Sequence, residues 1–433
     1  MRSTATFTVS DIPLFKDALL LWAQRFNEVV WLDSNDHHGT YSSFDAILAV
    51  DALTSIVTDT HTAFDDLTAY QNETKDWIFG YLSYDLKNDI EALSSMNSDG
   101  LQFPELFFFQ PKKLIRIRGK EVDFIYLNMV DDEMHPDFEE ISKGSTDTYG
   151  AKEISENTIH IKLRIFKDDY FNRVQKMLAH IHRGDIYEAN FCQEFYAVDT
   201  SIDPYTTYQK LNAISHPPFA TFLKIYDKYL LSASPERYLK KEGSKIISQP
   251  IKGTARRSRN VKEDELLKRR LVTDEKERAE NIMIVDLVRN DLSKSAEKGS
   301  VRVEELCKVY SYQQVHQMIS TVTSRVDETK NPVEIIKESF PMGSMTGAPK
   351  VSAMKIIEDL EASKRGLYSG AVGYFNPESD FDFNVVIRSI LYNASQKYVS
   401  FSVGSAITAK ASPEKEYEEC LLKAKAMRDV LEN

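Results

Sequence analysis

The sequence contains few cysteines, and their spacing excludes two common kinds of scaffold. Only three occur in 433 residues, namely Cys192, Cys307 and Cys420, and no two of them form a C-x-x-C pair. Disulfide frameworks and zinc sites need partners or ligands that recur at short spacing. The cysteine pattern therefore favours a reducing compartment, and we expect a cytoplasmic protein.

Neither an excess of basic residues nor a long apolar run is present. The formal net charge is −12 at pH 7, which argues against a nucleic-acid partner because phosphates are neutralised by concentrated lysine and arginine. No uncharged apolar run approaches the roughly 20 residues that a membrane helix needs. Asp11 and Lys16 interrupt the apolar start of the chain, so we expect neither a membrane partner nor a secretory leader.

The segments that are present predict strands and helices in alternation. Residues 1–130 and 158–433 both mix strand-like runs with amphipathic helical patterns, whereas the polar, acidic segment 131–157 is predicted to be a linker or surface loop. Hairpin-like spacing between many strands favours an α+β fold with large antiparallel sheets over a βαβ repeat. No G-x-G-x-x-G or Walker-type motif occurs, so nucleotide chemistry has no support.

One lysine stands in an unusual local setting, the segment SQPIKGTARR at residues 248–257. Pro250 and Gly253 exclude a helix interior, so Lys252 is predicted at a strand end or in a loop. It is either a solvated surface residue or an amine whose surroundings make it a nucleophile. The segment alone does not decide between the two.

Two predicted helices carry glutamates three residues apart. Glu277 and Glu280 precede a buried apolar stripe, and Glu416 and Glu419 lie near the start of the last helix. Residues three apart share a helix face, so four carboxylates can converge on a hard cation such as Mg²⁺. The alternative is two solvated faces whose glutamates pair with lysine and arginine.

The segment 339–361 predicts a tight, irregular loop that leads into an amphipathic helix. Backbone N–H groups at such a junction bind carboxylates or phosphates. Thr346 and Lys350 are placed to add a hydroxyl and a charge. A plain helix entry is the alternative.

Three single residues are weaker candidates. His316 is either a general acid or a satisfied core histidine. Arg388 interrupts an apolar strand and either pairs internally or binds a carboxylate in a bidentate manner. Glu236 follows a proline at a predicted strand end and is either an acid/base group or a turn carboxylate.

Together these segments resemble one enzyme family, the chorismate-utilising enzymes, which include anthranilate, aminodeoxychorismate, isochorismate and salicylate synthases. The similar segments are GDIYEANFCQEF, SASPERYL, PIKGTARR, DEKERAENIMIVDLVRNDL, FPMGSMTGAPK, RGLYSGAVGYF, FNVVIRS and PEKEYEE. The resemblance is dense over about residues 160–430 and fainter over the first 130. It implies an α+β fold in which two large antiparallel sheets pack as a sandwich, with helices outside and the active site between subdomains.

The lysine form PIKGT resembles the aminodeoxychorismate synthase branch, since anthranilate synthases carry alanine at that position. This resemblance implies that Lys252 attacks carbon 2 of chorismate, that the 4-hydroxyl leaves and that ammonia then enters at carbon 4. The attack requires a neutral amine. We therefore expect Arg256, Mg²⁺ or burial to lower the pKa of Lys252.

The same resemblance implies roles for the other candidates. They are Glu236 as acid/base group; His316 as an aid to departure of the 4-hydroxyl; Glu280 and Glu419 as Mg²⁺ ligands with Glu277 and Glu416 as outer partners; Arg388 and Tyr374, with backbone near Gly404 and Ser405, as the grip on the enolpyruvyl carboxylate; and Thr254, Thr346 and Lys350 as pocket lining.

Two positions depart from the family pattern. Ser405 and Ala406 replace glycines that are usual before the last helix, and backbone donation there persists if φ stays negative. Glu188 stands where aminating members commonly have glutamine and water-adding members have a lysine base. Without that lysine we expect no activation of water, and the sequence does not fix what Glu188 does.

The resemblance also implies partners. No cysteine lies in a G-x-C-x-G setting, so ammonia is expected from a separate glutamine amidotransferase subunit. The segment LDSNDHHGTYS is similar to the part of the family that holds tryptophan, with Ser34 at the matching serine. The predicted function is Mg²⁺-dependent amination of chorismate for 4-aminobenzoate and folate biosynthesis. The alternatives are anthranilate formation and a non-catalytic homologue that binds chorismate or tryptophan.

Overall fold

The computed structural model describes residues 1–144, 159–312 and 315–432. Over these residues the chain forms twenty strands, β1–β20 in order: Arg2–Thr8, Glu28–Asp33, Ala46–Thr58, Ile78–Leu82, Leu106–Arg118, Glu121–Leu127, Lys162–Leu163, Glu188–Ala197, Phe219–Ile225, Lys228–Ser234, Arg237–Glu242, Lys245–Gln249, Ile251–Arg256, Arg302–Ser311, Val315–Arg325, Gly347–Ala348, Ala371–Phe375, Phe381–Val385, Ser389–Asn393 and Tyr398–Thr408.

The same residues form eleven α-helices, α1–α11 in order: Ile12–Ala23, Ala63–Thr74, Lys87–Ile90, Met134–Lys143, Lys167–Arg183, Pro204–Ser215, Val261–Thr273, Glu275–Ser293, Pro332–Ser339, Lys350–Leu360 and Pro413–Glu432. None of the described helices is long and apolar enough to cross a membrane.

The strands form one hydrogen-bonded network in which the paired strands run antiparallel. Successive side chains of a strand point to opposite faces, and both faces are apolar here. Val30 of β2 and Ile47 of β3 enter one core, while Trp31 and Leu48, their chain neighbours, enter a second core. The predicted α+β fold with large antiparallel sheets is confirmed.

The two cores define the layers of the molecule. In the first core, side chains of β8–β10 and β19 meet those of β4, β5, β17 and β18, so two sheet layers pack face to face. The second core lies between the outer face of one layer and helices α1, α5, α6, α10 and α11. Full burial of each large apolar side chain contributes about 1.5–3 kcal/mol, which holds both interfaces together.

The N-terminal region shares this network with the rest of the chain. Strand β2 pairs with β9, with Val30 opposite Leu223. Strand β4 pairs with β17, with Tyr81 opposite Val372. Residues 1–130 are therefore interleaved with the C-terminal strands.

The predicted linker at 131–157 is wrong over its first part. Helix α4 begins at Met134, and both Met134 and Ile141 are buried. Phe138 stacks on Phe7 with ring centroids 3.9 Å apart. These apolar residues recur at helical spacing within an acidic segment, and packing against α1 and β1 outweighs the local polarity. Residues 145–157 lie outside the described residues.

Candidate active site

A glycine brings the lysine strand β13 close to helix α8. Gly253 has a φ of +93°, and a Cβ built there would lie 3.3 Å from the Cβ of Glu277; glycine adopts this backbone conformation without steric cost. The amide of Asn281 on α8 donates to the carbonyl oxygens of Lys252, at 3.4 Å, and of Met318, at 3.3 Å. These contacts fix Lys252 beside the helix that carries the first glutamate pair.

The Lys252 side chain is 17% exposed, and its Nζ lies 3.8 Å from Oε1 of Glu188. Burial acts to lower the pKa of Lys252, but the charges of Glu188, Glu280, Glu236 and Glu419 outweigh it and raise the pKa. The structure thus brings the lysine together with carboxylates from four separate parts of the chain.

Burial acts to lower the pKa of Lys252, as expected, but the four carboxylates outweigh it, and the expected contribution of Mg²⁺ stays a prediction. Arg256 does not contribute, because its side chain is 70% exposed and its guanidinium bonds to Glu263 at 2.7 Å. Lys252 and Arg256 are four residues apart and would share a face of a regular strand, but the irregular pairing between Ile251 and Thr254 interrupts the alternation.

The two glutamate pairs lie on facing helices. Glu277 and Glu280 belong to α8, and Glu416 and Glu419 belong to α11. The ammonium of Lys276 lies between the helices, 3.7 Å from Glu280 and 3.9 Å from Glu416. The negative charge of the glutamates therefore favours a cation in the gap between α8 and α11.

The glutamates differ in their local partners. Ser405 donates a hydrogen bond to the carboxylate of Glu416, and Lys423 lies 2.6 Å from Glu419. Burial raises the pKa of Glu277 and of Glu416. Burial acts in the same direction on Glu419, but Lys423 and other nearby lysines bring its pKa below the ordinary value.

Among the described residues, no three His, Cys, Asp or Glu side chains come close enough together to form a ready-made metal site. The four glutamates nonetheless fit an ion such as Mg²⁺, which takes one or two protein carboxylates and keeps several waters. An ammonium already occupies the gap between Glu280 and Glu416, which indicates that a cation is favourable there.

Glu236 lies between β10 and β11, next to Pro235, and is 5% exposed. Its backbone is held from both sides, since its N–H donates to Oγ of Ser234 and its carbonyl accepts from the N–H of Val385. Burial raises the pKa of Glu236 to about 7, against opposing contributions from Ser344 and Lys252. A carboxyl group with that pKa can donate or accept a proton at neutral pH.

Arg388 presents a cation to the same region. Its φ is +53°, a strained conformation for a residue other than glycine. Burial lowers the pKa of Arg388, while Tyr368 and Glu419 are its electrostatic neighbours. Within the described residues its guanidinium forms no hydrogen bond, so all its donors are available to a ligand.

The predicted partnership of Arg388 with Tyr374 is wrong. Tyr374 packs against Phe44 and Trp77 in a different cavity, whereas Tyr368 is the tyrosine beside Arg388. Both tyrosines occur in the segment RGLYSGAVGYF. Tyr368 was missed because the sequence does not show which of the two faces the arginine.

His316 is bonded to residues other than the lysine and the four glutamates. Its ring is 1% exposed, its Nδ1 lies 2.9 Å from Oγ of Ser311, and its Nε2 lies 3.1 Å from Oδ1 of Asp264. Both ring nitrogens are thus occupied by protein partners on β14 and α7. This arrangement corresponds to the satisfied core histidine that the sequence left open.

The loop before α10 is held by its own lysine. Nζ of Lys350 donates to Asp291 at 2.6 Å and to the carbonyls of Ser339 and Pro341 at 3.0 and 2.8 Å. All three ammonium donors are used, so the predicted role of Lys350 in substrate binding is wrong. The hydroxyl of Thr346 likewise donates within the loop, to Met342 and Gly343.

The remaining predicted pocket residues lie on two strands. Thr254 is an exposed residue of β13, two positions after Lys252. Gly404 stands opposite Cys192 in the pairing of β20 with β8, and Ser405 is buried beside Glu416. Ala406 continues the same regular strand.

A second polar site lies in a cavity that Lys252 does not line. A cavity of about 560 Å³ is lined by Ser34, Arg237, Tyr374 and Asn384, among others. Oγ of Ser34 and Nδ2 of Asn384 are buried and have no hydrogen-bond partner within the described residues. Buried polar atoms of this kind usually have a hydrogen-bond partner, so the cavity is suited to a ligand that has both polar and apolar groups.

Comparison with known proteins agrees with this geometry. Residues 27–429 match the family described as chorismate binding enzyme, and the chain belongs to that family. It is 43% identical over 269 residues to the probable chloroplastic aminodeoxychorismate synthase of Oryza sativa subsp. japonica, covering 61% of this chain and 30% of that protein. It is 32% identical over 361 residues to aminodeoxychorismate synthase component 1 of Bacillus subtilis, covering 82% and 76%.

Proteins named anthranilate synthase component 1 are among the matches as well. The fold is that of anthranilate synthase component I from Streptococcus pneumoniae TIGR4, with a TM-score of 0.75 at 23% identity over 91% of this chain and 94% of that one. The chain spans about a third of the length of the plant relative. It is a chorismate-binding enzyme whose relatives include aminodeoxychorismate synthases.

Proposed function

We propose that this protein aminates chorismate to 4-amino-4-deoxychorismate. The observation that carries the proposal is the position of the Lys252 side-chain amine, which is surrounded by carboxylates and forms no hydrogen bond with any described residue. A structural lysine in such a place would be fully bonded, as Lys350 is. A largely buried amine without a hydrogen-bond partner is suited to nucleophilic attack.

In the proposed reaction Lys252 forms a transient bond to carbon 2 of the ring. Glu236 supplies a proton to the departing 4-hydroxyl, in keeping with its pKa of about 7. Ammonia then adds at carbon 4, and the lysine leaves. Without the lysine, ammonia would add at carbon 2 instead, which is the route to anthranilate.

Two charged groups are proposed to hold the carboxylates of chorismate. Arg388 would bind the enolpyruvyl carboxylate through its free guanidinium, with Tyr368 beside it. Glu280 and Glu419 would hold Mg²⁺ between α8 and α11, with Glu277 and Glu416 as outer partners. A bound Mg²⁺ would neutralise the ring carboxylate in this acidic site.

The ammonia source and a second ligand are also proposed. A separate glutamine amidotransferase subunit would release ammonia for the reaction. Tryptophan would occupy the cavity at Ser34, where Oγ of Ser34 and Nδ2 of Asn384 lack partners. Native mass spectrometry of the purified protein would reveal a bound tryptophan, and its loss in a Ser34→Phe variant would locate it.

The decisive experiment identifies the product from chorismate, Mg²⁺ and ammonium. We expect aminodeoxychorismate, which yields 4-aminobenzoate only after a lyase is added. Fluorescent anthranilate without a lyase would overturn the proposal in favour of anthranilate synthesis. Absence of turnover with high ammonium or a glutaminase would indicate a non-catalytic homologue.

A trapping experiment tests the covalent step separately. Protein quenched during turnover is digested, and the peptide that contains Lys252 is searched for the mass of a chorismate-derived adduct. The Lys252→Arg variant keeps the charge and is the matched control. An adduct in the wild-type protein alone is expected.

A further inference from the structure

One carboxylate of the site has no assigned role. Glu188 lies on β8 and is 2% exposed. Its Oε1 is 3.8 Å from Nζ of Lys252. Its Oε2 is buried and accepts no hydrogen bond from any described residue. Folded proteins satisfy nearly all such atoms, so this carboxylate is poorly explained by stability alone.

Lys252 must lose a proton before its amine can attack chorismate. As an ammonium it has no lone pair, and the carboxylates around it favour that protonated form. The side chain is only 17% exposed, so transfer of its proton to bulk water is hindered. A proton acceptor inside the site would remove this obstacle.

We infer that Glu188 is the base that takes the proton from the Lys252 ammonium when chorismate binds. Glu188 is the carboxylate within 4 Å of Nζ among the described residues, whereas Glu236 is proposed to serve the 4-hydroxyl, and Glu280 and Glu419 face the gap between α8 and α11. The inference rests on the proposed amination of chorismate.

The charged groups that face Glu188 are Lys252 on β13 and Glu280 on α8. Burial raises the pKa of Glu188, Lys252 acts to lower it and Glu280 acts to raise it, with a net rise. A carboxylate that binds a proton more readily is a better acceptor from an ammonium. A glutamine at this position would bind the lysine without accepting its proton.

The proton moves from Nζ to Oε1, which leaves a neutral amine and a neutral carboxylic acid. The lone pair of Nζ bonds to carbon 2, the double bonds C1=C2 and C5=C6 shift to C1=C6 and C4=C5, and the C4–O bond breaks, with the oxygen leaving as water on a proton from Glu236. When ammonia adds at carbon 4 the shifts reverse and the bond between Nζ and carbon 2 breaks; the released amine recovers its proton from Glu188, and the new ammonium at carbon 4 returns a proton to Glu236.

The test compares E188Q with the wild-type protein from pH 7 to 9, using ammonium and Mg²⁺. We expect E188Q to be about a hundredfold slower at pH 7, a usual loss for a missing base. The ratio of E188Q to wild-type rates should rise close to tenfold per pH unit, since hydroxide in solution replaces the base. Titration of Glu236 affects both proteins and cancels in this ratio.

In a measurement without substrate, Lys252 of E188Q is expected to react faster than Lys252 of the wild-type protein. Acetylation of Lys252 by acetic anhydride, followed by peptide mass spectrometry, should be faster in E188Q than in the wild-type protein at the same pH, because a charge that favours the ammonium is gone. Faster labelling together with slower turnover separates a proton acceptor from a packing residue. E188Q that turns over at the wild-type rate, or a ratio constant with pH, would overturn the inference.

Two further variants distinguish loss of the base from loss of folding. E194Q removes another buried carboxylate of β8, one that pairs with Arg164 and Tyr398, and its rate ratio should not change with pH. If E188Q does not fold, E188A with added formate replaces it, and rescue by formate but not by chloride is expected. No rescue would count against the inference, and a wild-type protein that makes no aminodeoxychorismate would overturn both this inference and the proposed function.

Discussion

Two lysines that were predicted to act on the substrate differ in the hydrogen bonding of their ammonium groups. At the start of α10, Lys350 gives its three donors to Asp291 and two carbonyl oxygens. On β13, Lys252 faces four carboxylates, and its closest described partner is 3.8 Å away. One ammonium is saturated, and the other is held in place by charge without being bonded.

The difference shows how a structural cation is told from a reactive one. Burial of a charge is costly unless hydrogen bonds compensate for it, and the loop at Lys350 supplies them in full. The site at Lys252 leaves the compensation incomplete, so a ligand has groups to bind. Arg388 belongs with Lys252 by this criterion, because its guanidinium is unbonded among the described residues.

The largest expected contrast is in turnover. Lys252→Ala should lower aminodeoxychorismate formation by at least about a thousandfold, the order of loss when a covalent nucleophile is removed, or divert the product to anthranilate. Lys350→Met should keep its rate within about tenfold, since its donors never reach the substrate. Product analysis by chromatography distinguishes the two, and an unchanged rate in Lys252→Ala would show that the lysine is not the nucleophile.

Arg388 extends the contrast to binding. Arg388→Met should raise the KM for chorismate by about a hundredfold, because a partly buried charge pair with a carboxylate is worth several kcal/mol. Arg388→Lys should recover only part of this, since it lacks the bidentate fork. A KM that stays within about threefold of the wild-type value would remove Arg388 from the binding site.

The acidic helices provide the next effect. Glu419→Gln or Glu280→Gln should raise the Mg²⁺ concentration for half-maximal activity by about 10–100-fold or more. Glu418 is exposed on the same helix, and Glu418→Gln makes the same charge change as a control. Equal metal titrations in all three variants would contradict the assignment of the ligands.

For the free energy of unfolding, in contrast to turnover, Lys350 is expected to matter more than Lys252. Lys350→Met removes the closest cation from the buried Asp291 and leaves it only Lys294, which is 3.6 Å away and 44% exposed, so the free energy of unfolding should fall by about 3 kcal/mol. The double variant Lys350→Met/Asp291→Leu should recover much of that loss, as measured by urea denaturation. A fall below about 1 kcal/mol would mean that the ion pair is not structural.

The last contrast concerns Glu236 and the pH dependence of stability. Folded Glu236 keeps its proton up to a pKa of about 7, whereas its ordinary value is 4.5. Between these values unfolding releases a proton, so stability should fall as the pH rises, by up to ~3 kcal/mol. Glu236→Gln should abolish this fall, and Glu242→Gln, which changes an exposed glutamate of β11, should keep it. A wild-type curve that is flat from pH 5 to 8 would contradict the raised pKa.

Much of this arrangement could be predicted from short segments of sequence. Pro250 and Gly253 located Lys252 outside a helix, and the spacing of the glutamates placed each pair on one helix face. What failed depended on contacts distant in sequence. Nothing near Lys350 reveals Asp291, and the segment RGLYSGAVGYF does not show that Tyr368 is the tyrosine beside Arg388.

Two further errors have the same origin. His316 lies on a strand whose neighbour is irregularly paired after Ile251, so the face that it occupies depends on a register that the sequence does not display. Helix α4 was predicted to be a linker or loop because the segment is acidic. Its few apolar residues stabilise a helix because α1 packs against them. Local patterns fix an element, and tertiary packing decides what its side chains touch.

The pairing of β4 with β17 has a consequence for synthesis of the chain. Residues 78–82 leave the ribosome long before residues 371–375, their antiparallel neighbours. During that interval one edge of β4 stays open, and open strand edges bind other extended chains. Nascent protein should therefore engage chaperones until its last third has emerged, and truncated translation products should aggregate instead of persisting as a folded half.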